Sequence, residues 1–361
     1  MASGYGAPMT DDLKLGLHLG YWFATPPVGH DEMVKAAEDL GFDSVWSAEA
    51  YGSDCFTPLA WHGSNTSRVN LGTAVCQMSA RTPVATAMSA LTLDHLSNGR
   101  FMLGLGASGP QVVEGWYGQP YPKPLARTRE YVDIIRQVLA REAPVEHQGE
   151  QFQLPKLGEG TTGLGKPLKS ITHPLRREIP IYLGAEGPKN VTMTAEIADG
   201  WLPLFFSPGK FDEIYRPALE EGFARAGGGK SLDSFDLAPM VPVVIDRSLD
   251  ACYNALRPML ALYIGGMGSR ERNFYNDLAV RYGFEQAARE VQDRYLSGDK
   301  FAAMSAIPGE LIDEVALVGP RERVRERLQL WRESPVRTLN MMISDVATLR
   351  TMVELVAEGA A

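Results

Sequence analysis

A chain of 361 residues, 45% hydrophobic and 22% charged, has the material for a sizeable core and is long enough for two average domains or one large α/β barrel. Its formal net charge of −9 argues against a nucleic-acid partner and leaves room only for local basic sites around one anionic cofactor. No apolar run approaches the roughly 20 residues of a membrane span, and Met1–Thr10 lacks the features of a signal peptide, so a soluble, cytoplasmic protein is expected.

Strand-like and helix-like segments alternate from the start. Leu13–Gly20 reads as a strand, with leucines at 13, 15, 17 and 19. Met33, Val34, Ala37 and Leu40 then recur at helical spacing, and Gly41 follows as a stop. Ser44-Val45-Trp46 is a second strand. Val69–Cys76 is a third, followed by a helix over Pro83–Leu96 that Ser97-Asn98-Gly99 closes. Phe101–Leu105 is the fourth strand, Ile179–Leu183 the fifth, and a helix over Pro188–Ala198 leads to Trp201–Leu204. Ala238–Ile245 and Thr338–Ile343 complete eight strands. Strands interleaved with helices pair in parallel through right-handed crossovers, and eight of them suit a barrel better than an open sheet. Two stretches break the rhythm, near 142–178 and 265–310, and read as insertions within a single domain covering 1–361.

The candidate chemistry gathers after the strands. Gly104-Leu105-Gly106-Ala107-Ser108-Gly109 fits a dinucleotide fingerprint, but it follows the fourth strand, and Pro110 with the later glycines favours an irregular loop over a regular helix. Its glycines suggest a backbone that approaches something flat or phosphorylated. Glu49, just past the second strand, is the acidic candidate for polar contact or proton handling, and pairing with a neighbouring cation explains it equally well. Trp22, Trp46, Tyr51, Trp116 and Tyr117 also fall near strand ends; any one of them is more often core packing, but several on one face suit a planar ligand. In Gly184-Ala185-Glu186-Gly187-Pro188-Lys189-Asn190, a strand turns into a helix whose N-terminal N–H groups can hold phosphate, with Lys189 adding charge. A plain tight turn accounts for the same glycines, and Pro208-Gly209-Lys210 is a weaker anion candidate.

Cys55, Cys76 and Cys252 are scattered, form no CxxC and read as small core residues in a reducing compartment. The six histidines make no metal-binding pair, so no metal is expected; His18, on the first strand, is a candidate core histidine. No GxSxG elbow occurs.

LGLHLGYW, GFDSVWSAEAYGSD, NLGTAVCQMSARTP, LTLDHLSNGRFMLGLGASGPQVVEGWYG and PIYLGAEGPKNVTMTAEIADGW resemble the luciferase-like flavin and deazaflavin oxidoreductases, from Leu13 to about Ile343. GLGASGPQVVEGWYG and LGAEGPKN are similar to the branch that uses coenzyme F420, a hydride-carrying deazaflavin. The resemblance implies a bacterial-luciferase-like (β/α)8 TIM barrel with insertions, and a cofactor ring at the C-terminal face of its strands. It implies a third-strand bulge with a cis peptide at Ala74–Val75 behind the ring, and cofactor contacts from Ala107, Ser108, Gly109, Gly184, Ala185, Glu186 and Gly187, to which Lys189 is added by its place at the helix start. It matches Glu49 to the acidic residue ending strand two. The implied function is F420-dependent hydride transfer to or from a small alcohol, carbonyl, imine or activated C=C substrate, by a homodimer or larger assembly. A reduced-FMN monooxygenase on the same fold is the alternative, and a non-catalytic flavin-binding protein a more distant one. Two departures keep the family's acid/base chemistry from being transferred: Ala50 where many relatives have histidine, and Pro110 where one branch has a catalytic glutamate.

Overall fold

The computed structural model of the chain describes residues 13–359, so the polar stretch Met1–Thr10 lies outside the described residues. Eight parallel strand positions form a ring: β1 (Lys14–His18), β2 (Ser44–Ser47), β3 (Asn70–Thr73, resumed at Cys76–Gln77), β4 (Phe101–Gly106), β5 (Ile181–Gly184), β6 (Gly200–Trp201), β7 (Asp236–Leu237 and Met240–Ile245) and β8 (Thr338–Met342). The interrupted seventh strand closes it. Its first piece pairs with β6 at Gly200–Asp236 and Trp201–Leu237, a bridge joins Leu204 to Met240, and its second piece pairs with β8. β8 in turn pairs with β1, completing the circuit. A short strand, Leu317–Gly319, is added outside, against the second piece of β7.

Side-chain alternation sorts each strand into two faces. Leu15, Leu17, Val45, Leu339 and Met341 point outward into the core shared with the helices. Trp46, Met102, Tyr182, Leu202 and Ala238 form a separate buried cluster inside the ring. Trp46 is fully buried there, donates its Nε1–H to Ser44 Oγ at 2.8 Å, and meets Tyr182 edge-on at 5.3 Å. A ring that size fits because its neighbours lack side chains: a Cβ on Gly72 would lie 2.2 Å from the indole, and one on Gly16 would lie 3.1 Å from it. Trp46 is therefore packing in the lumen, not part of an aromatic face around a ligand, which corrects the grouping drawn from strand ends.

The helix Pro83–Leu96 has the bounds its sequence signals give, opened by Thr82, whose side chain accepts from Ala85 N–H. The third strand stops at Thr73, passes through a cis Ala74–Val75 peptide and resumes at Cys76, the bulge that the resemblance implies and that hydrophobic pattern alone reads as one continuous strand. Periodicity misses the longest described helix, Pro124–Ala140, which begins right after a left-handed Lys123. The stretch 142–178 is irregular apart from a two-stranded ribbon, His147–Gln148 with Gln153–Leu154. The second insertion carries helices Phe274–Arg281, Glu285–Leu296 and Lys300–Ser305. Among the described residues, no helix is long and apolar enough to cross a membrane.

Candidate functional site at the C-terminal rim

Because all eight strands run in parallel, residues following their C-terminal ends share one rim. Glu49 follows β2, Ser108 follows β4 and Gly187 follows β5, so the structure puts all three on that rim. At its centre is the third-strand bulge. The Thr73 hydroxyl accepts from Gly104 N–H at 2.8 Å and donates to Gly104 C=O at 2.7 Å. A Cβ on Gly104 would sit 1.8 Å from Thr73 O, so only glycine admits this approach. The Val75 side chain fills the space a Cβ would take on Gly106 (2.4 Å) and crowds Gly184 (3.1 Å).

His18 braces the bulge from the other side. Its Nδ1 accepts from Gly20 N–H at 3.0 Å, so the proton lies on Nε2, which donates to Ala74 C=O at 3.2 Å. Burial pushes its pKa down to about 4, the Ala74 bond opposing only in part, and the imidazole is neutral at pH 7. The expectation of a satisfied core histidine describes it well.

The two glycine-bearing turns lie side by side, since Gly106 is in register with Gly184. Among the described residues, the N–H groups of Ala107, Ser108, Gly109, Ala185, Glu186 and Gly187 have no hydrogen-bond acceptor. Ser108 holds a left-handed φ of 58°, pinned by Tyr121, whose hydroxyl donates to its carbonyl at 2.8 Å. A Cβ on Gly187 would meet nothing within 4 Å. Pro188 opens the helix Pro188–Ile197, and the exposed Lys189 is its second residue; Lys210 is half-buried. The strand-four motif is less irregular than expected, since Gly109 leads into a short helix, Pro110–Gly115. It is one and a half turns long and follows the fourth strand of a barrel, so it is not a Rossmann helix.

Glu49 is buried, and both carboxylate oxygens are engaged. Arg81 donates Nη1–H to Oε2 and Nη2–H to Oε1, each at 2.8 Å, and Gln77 N–H donates to Oε2 at 2.9 Å. The Gln77 side chain donates back to Glu49 C=O at 3.1 Å, tying the end of β2 to the far side of the bulge. The fold also unites what the sequence scatters: ligand atoms of Cys55, Cys76 and Glu49 lie within 4.8 Å of one another. The donor set does not suit a cation. Arg81 already occupies the carboxylate and reaches Cys76 Sγ at 3.6 Å, and burial pushes the Cys55 thiol well up, keeping it protonated.

The group that sequence reasoning underrated is Glu186. Burial raises its pKa to about 8, against the opposing effects of Leu204 N–H, which donates to Oε1 at 2.8 Å, and of Arg281. Tyr215, Tyr263, Tyr275 and Tyr282 all lie near enough to feel its charge. Tyr263 and Tyr275 pack edge-on at 4.9 Å, and both meet Phe205. Tyr275 and Tyr282 come from the second insertion and Tyr263 from just before it, far from Glu186 in the chain, and no local spacing announces them. Around the rim, Trp22, Tyr51 and Trp116 are exposed; Tyr51 lies 6.5 Å from Trp116, and Tyr117 donates its hydroxyl to Ala50 C=O.

The family model described as luciferase-like monooxygenase matches residues 24–338. A Mycobacterium tuberculosis protein bearing the name of a coenzyme F420-dependent oxidoreductase is 55% identical over 96% of this chain and 100% of its own length. A 5,10-methylenetetrahydromethanopterin reductase of Archaeoglobus fulgidus is 33% identical, covering 82% of this chain and 83% of its own. Among solved structures, the coenzyme F420-dependent tetrahydromethanopterin reductase of Methanopyrus kandleri superposes with a TM-score of 0.78 at 24% identity, over 97% of this chain and 100% of that one.

Proposed function

This chain belongs to the luciferase-like monooxygenase family, and from that premise we propose that it is an oxidoreductase that binds coenzyme F420 at the C-terminal rim and exchanges hydride with a small organic substrate. The observation that carries the reading is the pair of adjacent turns with six unengaged N–H groups, next to a bulge that offers the Val75 side chain as a flat-ring support. That cradle fits the group: unpaired N–H donors suit its phosphodiester, and the open side of Gly187 leaves space for it. Ala107, Ser108, Gly109 and the turn Gly184, Ala185, Glu186, Gly187 would hold the phosphate, and Ala74 and Val75 would back the ring. Lys189 and the half-buried Lys210 supply positive charge toward the acidic tail. Bound there, F420 supplies the hydride-carrying carbon.

We assign Glu49 a positioning role. A carboxylate whose two oxygens are both held by Arg81, with Gln77 N–H on one of them, fixes the loop after β2 against the bulge. The protein is taken as a single-domain barrel, cytoplasmic and homodimeric, with no nucleic-acid or membrane partner. Light scattering at micromolar concentration checks the assembly: a mass at least twice 39.5 kDa is expected, and a monomeric mass refutes it.

The decisive experiment is a parallel titration with F420 and FMN, read by fluorescence. F420 is expected to bind with its blue-green emission perturbed, FMN weakly or not at all. Lys189→Ala should weaken F420 binding by about 1 kcal/mol or less, because the exposed lysine is screened, and the loss should shrink with added salt. Tight FMN binding, indifference to F420 and oxygen consumption with substrate would instead mark a reduced-FMN monooxygenase.

A further inference from the structure

A cavity of about 390 Å³ opens where the ends of β1 and β8 meet the segment 19–28. On the ring, these strands lie across the mouth from β4 and β5, which carry the free N–H turns. Its wall is apolar, with Leu19, Phe23, Pro26, Met33 and Ile343 among the lining residues. None of its lining residues is Asp, Glu, Lys or Arg. Its two histidines are both disfavoured as cations. His18 is neutral, with both nitrogens already hydrogen-bonded, and burial disfavours the charged form of His30, helped by the neighbouring His62 and opposed by Asp31. The cavity adjoins the reaction centre: His18 lines it and also donates to Ala74 C=O, the carbonyl of the cis peptide that backs the proposed ring. Its outer edge is soft and greasy, since Phe23 and Val28 are 85% and 100% exposed.

An anionic substrate entering this cavity would give up part of its hydration shell and find no cation in return. An uncharged one of matching size would bury its surface against aliphatic and aromatic walls, as small-molecule sites usually allow. We propose that this cavity is the substrate site and that it selects uncharged, largely apolar carbonyl-type molecules over carboxylates and phosphates. The proposal rests on the F420 reading only for the word substrate; the preference for neutral ligands stands on the cavity itself.

The test pairs acetophenone with benzoate, nearly the same shape with and without charge. Each is titrated into isotope-labelled protein without cofactor, and amide shifts are followed. Acetophenone is expected to perturb residues 17–30 and 342–344, with benzoate binding about tenfold more weakly or not at all. Thr25→Trp and Ser344→Phe, two rim substitutions that fill the cavity, should each abolish these shifts, while F420 affinity stays within about twofold. Equal or tighter benzoate binding, or acetophenone shifts confined to other residues, would overturn the proposal. Acetophenone seated in the cavity of a protein that ignores F420 would instead overturn the cofactor reading and leave the cavity assignment intact.

Discussion

Glu49→Gln is expected to lower the unfolding free energy by about 3 kcal/mol, since breaking one side of a buried ion pair strands the other charge. Arg81 is the stranded group: its side chain is only 21% exposed, against 4% for Glu49, and its guanidinium also sits 5.0 Å from the Phe56 ring centre. The amide can still accept from Gln77 N–H, so most of the loss belongs to the guanidinium. A double variant, Glu49→Leu with Arg81→Met, removes both charges and keeps apolar contact with Phe56. It should be more stable than Glu49→Gln alone, because paired removal restores neither charge nor desolvation cost. Urea midpoints for the three proteins decide it. A Glu49→Gln protein within about 1 kcal/mol of wild type would show the clamp to be dispensable and return Glu49 to the candidates for proton transfer.

Glu186 gives the second expected effect, and its sign follows from proton counting. Its carboxyl has a pKa of about 8 in the folded protein against 4.5 for the free group, because burial disfavours the carboxylate. Between those values the folded chain holds a proton that the unfolded chain has released, so stability falls as pH rises and levels off above 8. His18 works the other way: its pKa drops from 6.5 to about 4 on folding, so it makes stability rise with pH up to 6.5. The two slopes oppose each other in acid, and only that of Glu186 is left between pH 6.5 and 8. Over that window wild type should lose about 2 kcal/mol that Glu186→Gln does not lose, read from denaturation at pH 6.5 and 8.5. The neutral carboxyl also spares the neighbouring N–H turn a negative charge. F420 affinity should therefore fall above pH 8 in wild type and hold steady in the glutamine variant. Parallel pH profiles for the two proteins would refute the assignment.

The barrel was legible because parallel strands buried on both faces advertise themselves. Phe101–Leu105 and Thr338–Ile343 are short apolar runs bounded by turn residues, and the structure has strands there. The third strand was only half legible. Val69–Cys76 reads as continuous, since nothing in Thr73-Ala74-Val75 signals a break by itself; the bulge came from family resemblance, and the glycines that permit it lie on β4 and β5. Helix Pro124–Ala140 escaped notice because its polar, arginine-bearing surface dilutes the apolar stripe of Tyr131, Val132, Ile135, Val138 and Leu139. Glu49 is legible as a residue, with cation pairing one of its two readings, but the sequence does not name the cation. Its partner Arg81 lies 32 positions away, and only the folded chain brings the pair together. The Cys55–Cys76 neighbourhood and the tyrosines around Glu186 were invisible for the same reason: each is a product of tertiary closure, with no spacing rule to betray it.

Trp46 has a consequence for traffic. Its indole, seated between Gly16 and Gly72, stoppers the lumen, so nothing passes through the barrel from the opposite end. On the proposed reading, cofactor and substrate therefore come and go on the same face, at opposite edges of one mouth, and neither has a back exit.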